Sequence, residues 1–122
     1  MHTHQLLATT TSQEGHVVTL RCAGSAETEA LPQLRGVLDA LHERAVAGAA
    51  SEVVADVRDL EFASSSCLKA FVGWLQRVIE LDEPARYQVR FRSNPRHSWQ
   101  RRSLGALAAF AGDLVRIETE AA

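Results

Sequence analysis

A short apolar run constrains the fold of this chain more than any other feature. Val53 to Val57 holds four apolar residues and one aspartate, without the alternation of polar and apolar side chains that marks a half-exposed strand. A strand of this kind is usually central in its sheet and covered on both faces. We therefore predict a strand over about Glu52 to Val57, in the middle of a sheet.

Strand and helix patterns alternate on either side of this run. Period-2 patterns predict strands over about Gln5–Thr10, His16–Cys22, Tyr87–Arg92 and Leu114–Glu118, with a turn at Thr11–Gly15. Apolar stripes at helical spacing predict helices from the first turn around Pro32 to about Ala47, from the serines at 64–66 to about Leu81, and over about Trp99–Phe110.

The predicted order, β-β-α-β-α-β-α-β, is that of an α/β fold. It begins with an antiparallel hairpin and continues with parallel strands joined by right-handed crossovers, which together make a mixed sheet. Three of the strands keep one polar side. The helices are therefore expected mainly on one face, and the other face leaves room for water, a partner or a homodimer.

Length and composition exclude several classes of protein. The chain has 122 residues, which fits a single domain over 1–122, and a formal net charge of −2, which does not favour a nucleic-acid partner. No apolar run is long enough to span a membrane, and the N-terminus has no secretion-signal pattern. The cysteines and histidines have no metal-ligand spacing. We predict a cytoplasmic protein without metal or cofactor.

Three consecutive serines, Ser64 to Ser66, precede the apolar stripe of the second helix. At that point the first backbone N–H groups lack intrahelical partners and the helix dipole is positive, so an attached phosphate meets a site suited to anions. Helix capping is the simpler interpretation, and the residues alone favour it.

The segment around the serines resembles a known family. STAS domains, the fold of the anti-sigma factor antagonists, carry an aspartate at the end of the third strand and then Phe-x-Asp-Ser-Ser-Gly-Leu at a helix start. This chain has Asp56, followed at matching spacing by Phe62-Ala63-Ser64-Ser65-Ser66-Cys67-Leu68. The predicted element order also agrees with the family over nearly the full chain, apart from a missing last helix.

The resemblance implies a non-enzymatic, bacterial partner-switching regulator. By position, Ser65 is the serine that a histidine-kinase-like serine kinase, itself an anti-sigma factor, phosphorylates. The unphosphorylated form binds the kinase and releases a sigma factor, and a phosphatase resets the switch. The expected partner-binding residues around it are Ser64, Ser66, Cys67, Lys69 and Trp74. For Trp74, packing under a neighbouring helix is an equal alternative.

Two residues depart from the family pattern: Ser64 replaces the usual aspartate, and Cys67 replaces the usual glycine. Loss of the carboxylate changes kinase recognition or removes phosphorylation. The departure therefore favours a first rival, a STAS subunit that is never phosphorylated and belongs to a larger complex, such as a transporter or a sensory assembly.

Two further rivals rest on other residues. Cys67, in a first helical turn that favours a thiolate, predicts a thiol enzyme if His42 or His97 serves as the base. A basic concentration around Trp99 predicts a nucleotide site and consists of Arg90, Arg92, Arg96, Arg101 and Arg102. In both cases a purely structural or solvated role is the simpler interpretation.

Overall fold

The computed structural model describes residues 6–120 and contains the predicted elements in the predicted order. The strands are β1 (Ala8–Glu14), β2 (Val17–Ala26), β3 (Glu52–Ala63), β4 (Gln88–Ser93) and β5 (Val115–Thr119), and the helices are α1 (Leu31–Ala47), α2 (Ser65–Ile79) and α3 (Ser98–Ala111). The predicted α/β order is confirmed over this part of the chain.

The five strands form one sheet in the order β1-β2-β3-β4-β5. β1 pairs with β2 antiparallel, and every later pair is parallel. The expected mixed sheet is therefore present. Because β2 to β5 run in one direction, their carboxyl ends share one edge of the sheet, and the loops that follow them meet there.

β1 lies further along the chain than the sequence predicts. It continues through Thr11 to Glu14, where a turn is expected, and only Gly15 and His16 form the turn. Gly15 has φ +61°, which fits a type II′ hairpin with glycine at its first central position. The threonines favour a strand, and each pairs with a residue of β2. Gln5, where the predicted strand begins, lies outside the described residues.

The three helices cover one face of the sheet, as predicted. Their apolar stripes join the inward residues of the strands in a single buried cluster. From the sheet it takes Val18, Leu20, Val53, Ala55, Val57, Val89 and Phe91, and from the helices Leu34, Leu38, Leu41, Phe71, Leu75, Val78, Leu104 and Leu107. Burial of these side chains is the main source of stability.

The other face of the sheet is lined with ion pairs. Arg90 donates to Glu52 at 3.0 Å and to Glu118 at 3.1 Å, and Arg58 donates to Asp56 at 2.9 Å. Burial alone would raise the pKa of Asp56, but the hydrogen bonds from Arg58 lower it below its ordinary value. Val54 is only 4% exposed on this face and lies outside the apolar cluster. β3 is therefore covered on both faces, as expected of a central strand.

β3 extends six residues beyond the predicted end at Val57, because Asp59, Leu60, Phe62 and Ala63 continue to pair with β2. Asp59 lies opposite Ala23 in this extension and forms an ion pair with Arg21. The register shifts between Gly24 and the next residue of β2, where β3 carries one extra residue. The longer β3 brings the start of α2 directly to the end of β2.

Candidate functional site

Ser64 fixes the start of α2. Its extended backbone, with φ −66° and ψ 162°, lets the side-chain oxygen accept a hydrogen bond from the Cys67 N–H at 3.2 Å. Its carbonyl accepts from the Leu68 N–H at 2.9 Å, and its own N–H donates to the carbonyl of Ala26 at 2.8 Å. Ser64 is buried. It therefore serves as the helix cap and ties α2 to the end of β2.

Ser65 is the accessible serine of the three. It is the first residue of α2 and is exposed, whereas Ser66 is half-buried. Lys69, also exposed, follows one helical turn later on the same side of the helix as Ser65. An anion on Ser65 would meet the positive end of the helix and this ammonium group.

Cys67 does not lie on the surface, contrary to the sequence-based expectation. Its side chain is 0% exposed, and its thiol donates to the carbonyl of Glu27 at 3.4 Å. The side chain takes this position because it fills the space between α2 and the loop that follows β2. A thiol in this position is not available to a substrate, which weighs against the thiol enzyme. No cluster of potential metal ligands occurs among residues 6–120.

Of the two alternatives for Trp74, the structure shows the packed one, and Trp74 does not lie at the surface. Trp74 is 2% exposed and packs edge-on against Phe91. Its indole N–H donates to the Tyr87 hydroxyl at 2.9 Å, and that hydroxyl lies 2.7 Å from Nδ1 of His42. Trp74 is buried because this network satisfies its one polar atom.

The tyrosine hydroxyl links Trp74 to His42 in the core. Oη of Tyr87 accepts from the indole N–H of Trp74, and it shares a hydrogen bond with Nδ1 of His42 in which either group can be the donor. Burial, together with the charge of Arg77, lowers the pKa of His42, and burial raises the pKa of Tyr87 to about 12. His42 is thus engaged in the core and does not serve Cys67 as a base.

Phe62 is an exposed aromatic residue that the sequence reasoning missed. Its side chain is 42% exposed, three residues before Ser65. Glu61 is the extra residue of β3 at the register shift, and it turns Phe62 away from the core. The phenylalanine of the family motif is the signal that could have directed attention to it.

A shallow groove of about 230 Å³ lies between α1 and α2, beside the serines. Arg35 of α1 and Lys69 and Gly73 of α2 are among the residues that line it. Arg77 spans the groove and binds Asp39 at 2.6 Å. Neither Arg35 nor Lys69 forms an ion pair with any residue between 6 and 120. The groove therefore has a positive rim.

The five arginines do not form one patch. Arg90 and Arg92 lie on the open face of the sheet, where carboxylates bind them. Arg101 lines a pocket of about 430 Å³ at the start of α3, and Arg96 lines a neighbouring one. This separation weakens the prediction of a single nucleotide site.

Comparison with known proteins rests on structure alone, because no family model and no curated protein match the sequence. An anti-sigma factor antagonist from Mycobacterium paratuberculosis superposes with a TM-score of 0.66 and 17% identity, over 85% of this chain and 81% of that one. The phosphorylated form of the Bacillus cell fate determinant SpoIIAA has a TM-score of 0.59 and 18% identity, over 93% of each chain.

This chain has the fold of the anti-sigma factor antagonists. The STAS-like fold that the serine motif predicts is therefore confirmed. In addition, no helix within residues 6–120 is both long and apolar enough to cross a membrane.

Proposed function

We propose that this chain is a non-enzymatic partner-switching regulator of the anti-sigma factor antagonist type. It binds a histidine-kinase-like serine kinase that is also an anti-sigma factor, and phosphorylation of Ser65 ends that binding. A phosphatase restores the unmodified form. No cofactor takes part in this cycle.

The exposure of Ser65 carries the proposal. Of the three serines, Ser64 is occupied by capping, whereas Ser65 presents its hydroxyl at the surface. A kinase can therefore reach this hydroxyl in the folded protein, without local unfolding of α2. The similarity of the fold to an anti-sigma factor antagonist and to a phosphorylated protein supports the same conclusion.

The partner-binding surface is redefined by burial. The buried residues Ser64 and Cys67 leave it, and Trp74 contributes only to the lining of the α1–α2 groove. Phe62 joins Ser65, Ser66 and Lys69. We call these four residues and the α1–α2 groove the α2 docking surface. Exposed aromatic residues are common anchors in interfaces, and the positive rim favours an acidic partner.

Phosphorylation acts on this surface through charge. A phosphate on Ser65 adds about −1.5 to −2 charge at neutral pH. Within the chain that charge is stabilised by the helix dipole and by Lys69, so the fold is preserved. At the interface, it neutralises a cation that an acidic partner needs and repels that partner. Phosphorylation therefore releases the partner without unfolding the antagonist.

The first test is phosphopeptide mapping of the protein from its native cells, with its co-purifying proteins identified in the same sample. Trypsin releases Asp59 to Lys69 as one peptide, because Arg58 precedes it and Lys69 ends it. We expect a phosphoryl group on Ser65 and a histidine-kinase-like partner. An unmodified peptide under all growth conditions, with a bound partner that is not a kinase, would overturn the proposal.

A second test uses variants with the purified partner. Ser65→Asp is expected to weaken binding by more than about tenfold, and Ser65→Ala is expected to bind but not to take up phosphate from ATP. Ser98→Ala is the matched control, because Ser98 is also an exposed serine at the first position of a helix. Equal phosphorylation of Ser65→Ala and the wild type would contradict the assignment.

The absence of a carboxylate at position 64 favours a second candidate, a STAS subunit that stays bound in a larger complex. Ser64 caps α2, which accounts for this residue without any kinase. A partner that co-purifies stably and whose binding is insensitive to both ATP and Ser65→Asp would identify this candidate.

A further inference from the structure

The two edges of the sheet differ in how they are protected. β5 has only five residues, and it carries two charged side chains, Arg116 and Glu118. β1 has seven residues, contains neither proline nor lysine, and pairs with β2 without any bulge. Short length, charge and bulges are the devices that keep an edge strand from pairing with another chain. β1 lacks them over most of its length.

The hairpin identifies which residues of β1 face outward. Glu14 and Val17 flank the two-residue turn, and a tight turn joins such flanking residues by hydrogen bonds. Alternate residues of an antiparallel strand bond to the same neighbour. Ser12 and Thr10 therefore bond to β2, whereas Thr9, Thr11 and Gln13 direct their N–H and carbonyl groups away from the sheet.

A side chain closes this edge at one end. The carbonyl of Leu7 follows the same alternation and accepts a hydrogen bond from Nε2 of Gln33 at 3.0 Å. The open part of the edge thus runs from Thr9 to Gln13. Leu6 lies just before it and is 85% exposed, a high value for a leucine.

We propose that β1 pairs antiparallel with β1 of a second copy of this chain, about a two-fold axis through Thr11. With Thr11 opposite Thr11, Thr9 of each copy lies opposite Gln13 of the other. All three outward-facing residues are then used, and about six backbone hydrogen bonds form. The two sheets become one continuous sheet of ten strands.

The sequence of β1 is complementary to that of β1 in a second copy of the chain. A two-fold axis brings the same patch together twice, so the patch must be complementary to itself. In this register no charges of like sign face each other, because Glu14 lies opposite Ala8. Threonine pairs stabilise antiparallel strands. Leu6 of each copy lies against the Gly15–His16 turn of the other, which covers its exposed side chain.

Thr11→Pro tests the proposal by sedimentation. Proline removes the N–H of residue 11, which points away from β2, so the bonds within the sheet remain. The wild type and Thr11→Ser are expected to dimerise with rising concentration, and Thr11→Pro to bind its second copy at least about tenfold more weakly. A monomeric wild type up to the millimolar range, or an unchanged Thr11→Pro dimer with an intact fold by circular dichroism, would overturn it.

Disulfide trapping provides a test that does not depend on tolerance of proline. Residues in a hydrogen-bonded antiparallel pair have Cα atoms about 5.5 Å apart, within the range of a disulfide. Cys22 and Cys67 are buried, so Thr11→Cys supplies an accessible thiol. A covalent dimer is expected for Thr11→Cys and none for Thr28→Cys, an exposed control. Equal trapping of both, or of neither, would contradict the pairing.

The β1 pairing does not depend on the proposed function, since Ser65 is not part of this edge. A dimer would present two α2 docking surfaces.

Discussion

Helices α2 and α3 begin in the same way but are held differently. Each has an exposed serine as its first residue, Ser65 in one and Ser98 in the other, and both begin after a strand at the carboxyl edge of the sheet. Ser64 caps α2 through its own side chain, whereas His97, at the same position of α3, contributes no side-chain cap.

A buried glutamine anchors the start of α3 instead. Gln100 is 1% exposed, and its side-chain amide donates to the carbonyls of Val57 at 2.6 Å and Leu60 at 3.0 Å. Its side-chain oxygen accepts from the Asn94 N–H at 2.8 Å. The start of α3 is therefore held by a buried side chain of its second turn, whereas the start of α2 is held by its cap and by the bond from the Ser64 N–H to Ala26. None of the bonds that hold the start of α2 uses the Ser65 side chain, so a group attached there leaves them intact.

The largest expected effect is that of Gln100→Leu. The change removes the Gln100 bonds to the Val57 carbonyl and the Asn94 N–H, whereas the Leu60 carbonyl still accepts from the Trp99 indole. We expect the free energy of unfolding to fall by about 3 kcal/mol. Urea denaturation measures it. The control is Gln76→Leu, because Gln76 is exposed and bonds only to Glu80. Similar losses for the two variants would show that the anchor contributes little.

A smaller loss of stability is expected as the pH falls, from the buried contact between His42 of α1 and Tyr87. The pKa of His42 lies below its ordinary value of 6.5 in the folded protein, chiefly because of burial, with Arg77 lowering it and Asp39 and Glu43 opposing. The unfolded chain therefore takes up the proton first. The stabilisation is complete above about pH 6.5 and decreases below it.

His42→Gln isolates this pH dependence. The difference in unfolding free energy between the wild type and the variant, followed from pH 7.5 to pH 5, should shrink as the pH falls. His97→Gln is the control, since His97 is only half-buried. A constant difference across this range would contradict the role of His42.

The cap of α2 is expected to contribute less than the anchor of α3. Ser64→Ala removes the acceptor of the Cys67 N–H and should cost about 1 kcal/mol. Ser64→Asp, which restores the residue usual in STAS domains, should retain the cap and the stability. Thermal unfolding of the two variants measures the difference. A loss for Ser64→Asp as large as for Ser64→Ala would show that the site does not accept a carboxylate.

The smallest expected effect is a gain. His97→Ser gives α3 the side-chain cap that it lacks, and the free energy of unfolding should rise by about 0.5 kcal/mol. Thermal unfolding checks it, with Ser98→Ala as a neighbouring substitution that adds no cap. No gain would mean that the loop held by Gln100 keeps the side chain of residue 97 away from the first N–H groups of α3.

The sequence predicts the order of strands and helices because each helix carries an apolar stripe and most strands alternate. It does not predict the end of β3, because residues such as Asp59 look like loop until the ion pair with Arg21 is known. The burial of Trp74 depends on Tyr87 and His42, which lie far along the chain. Local patterns therefore identify elements, and contacts between distant polar residues decide which side chains reach the surface.

The unbroken strand order also bears on how the molecule is made. Each strand lies beside the one that precedes it in the chain. As the protein leaves the ribosome, every new strand and helix thus finds its neighbour already synthesised, and the sheet grows at one side only. We expect a nascent chain that ends after β4 to hold a compact sheet already, with β5 added last.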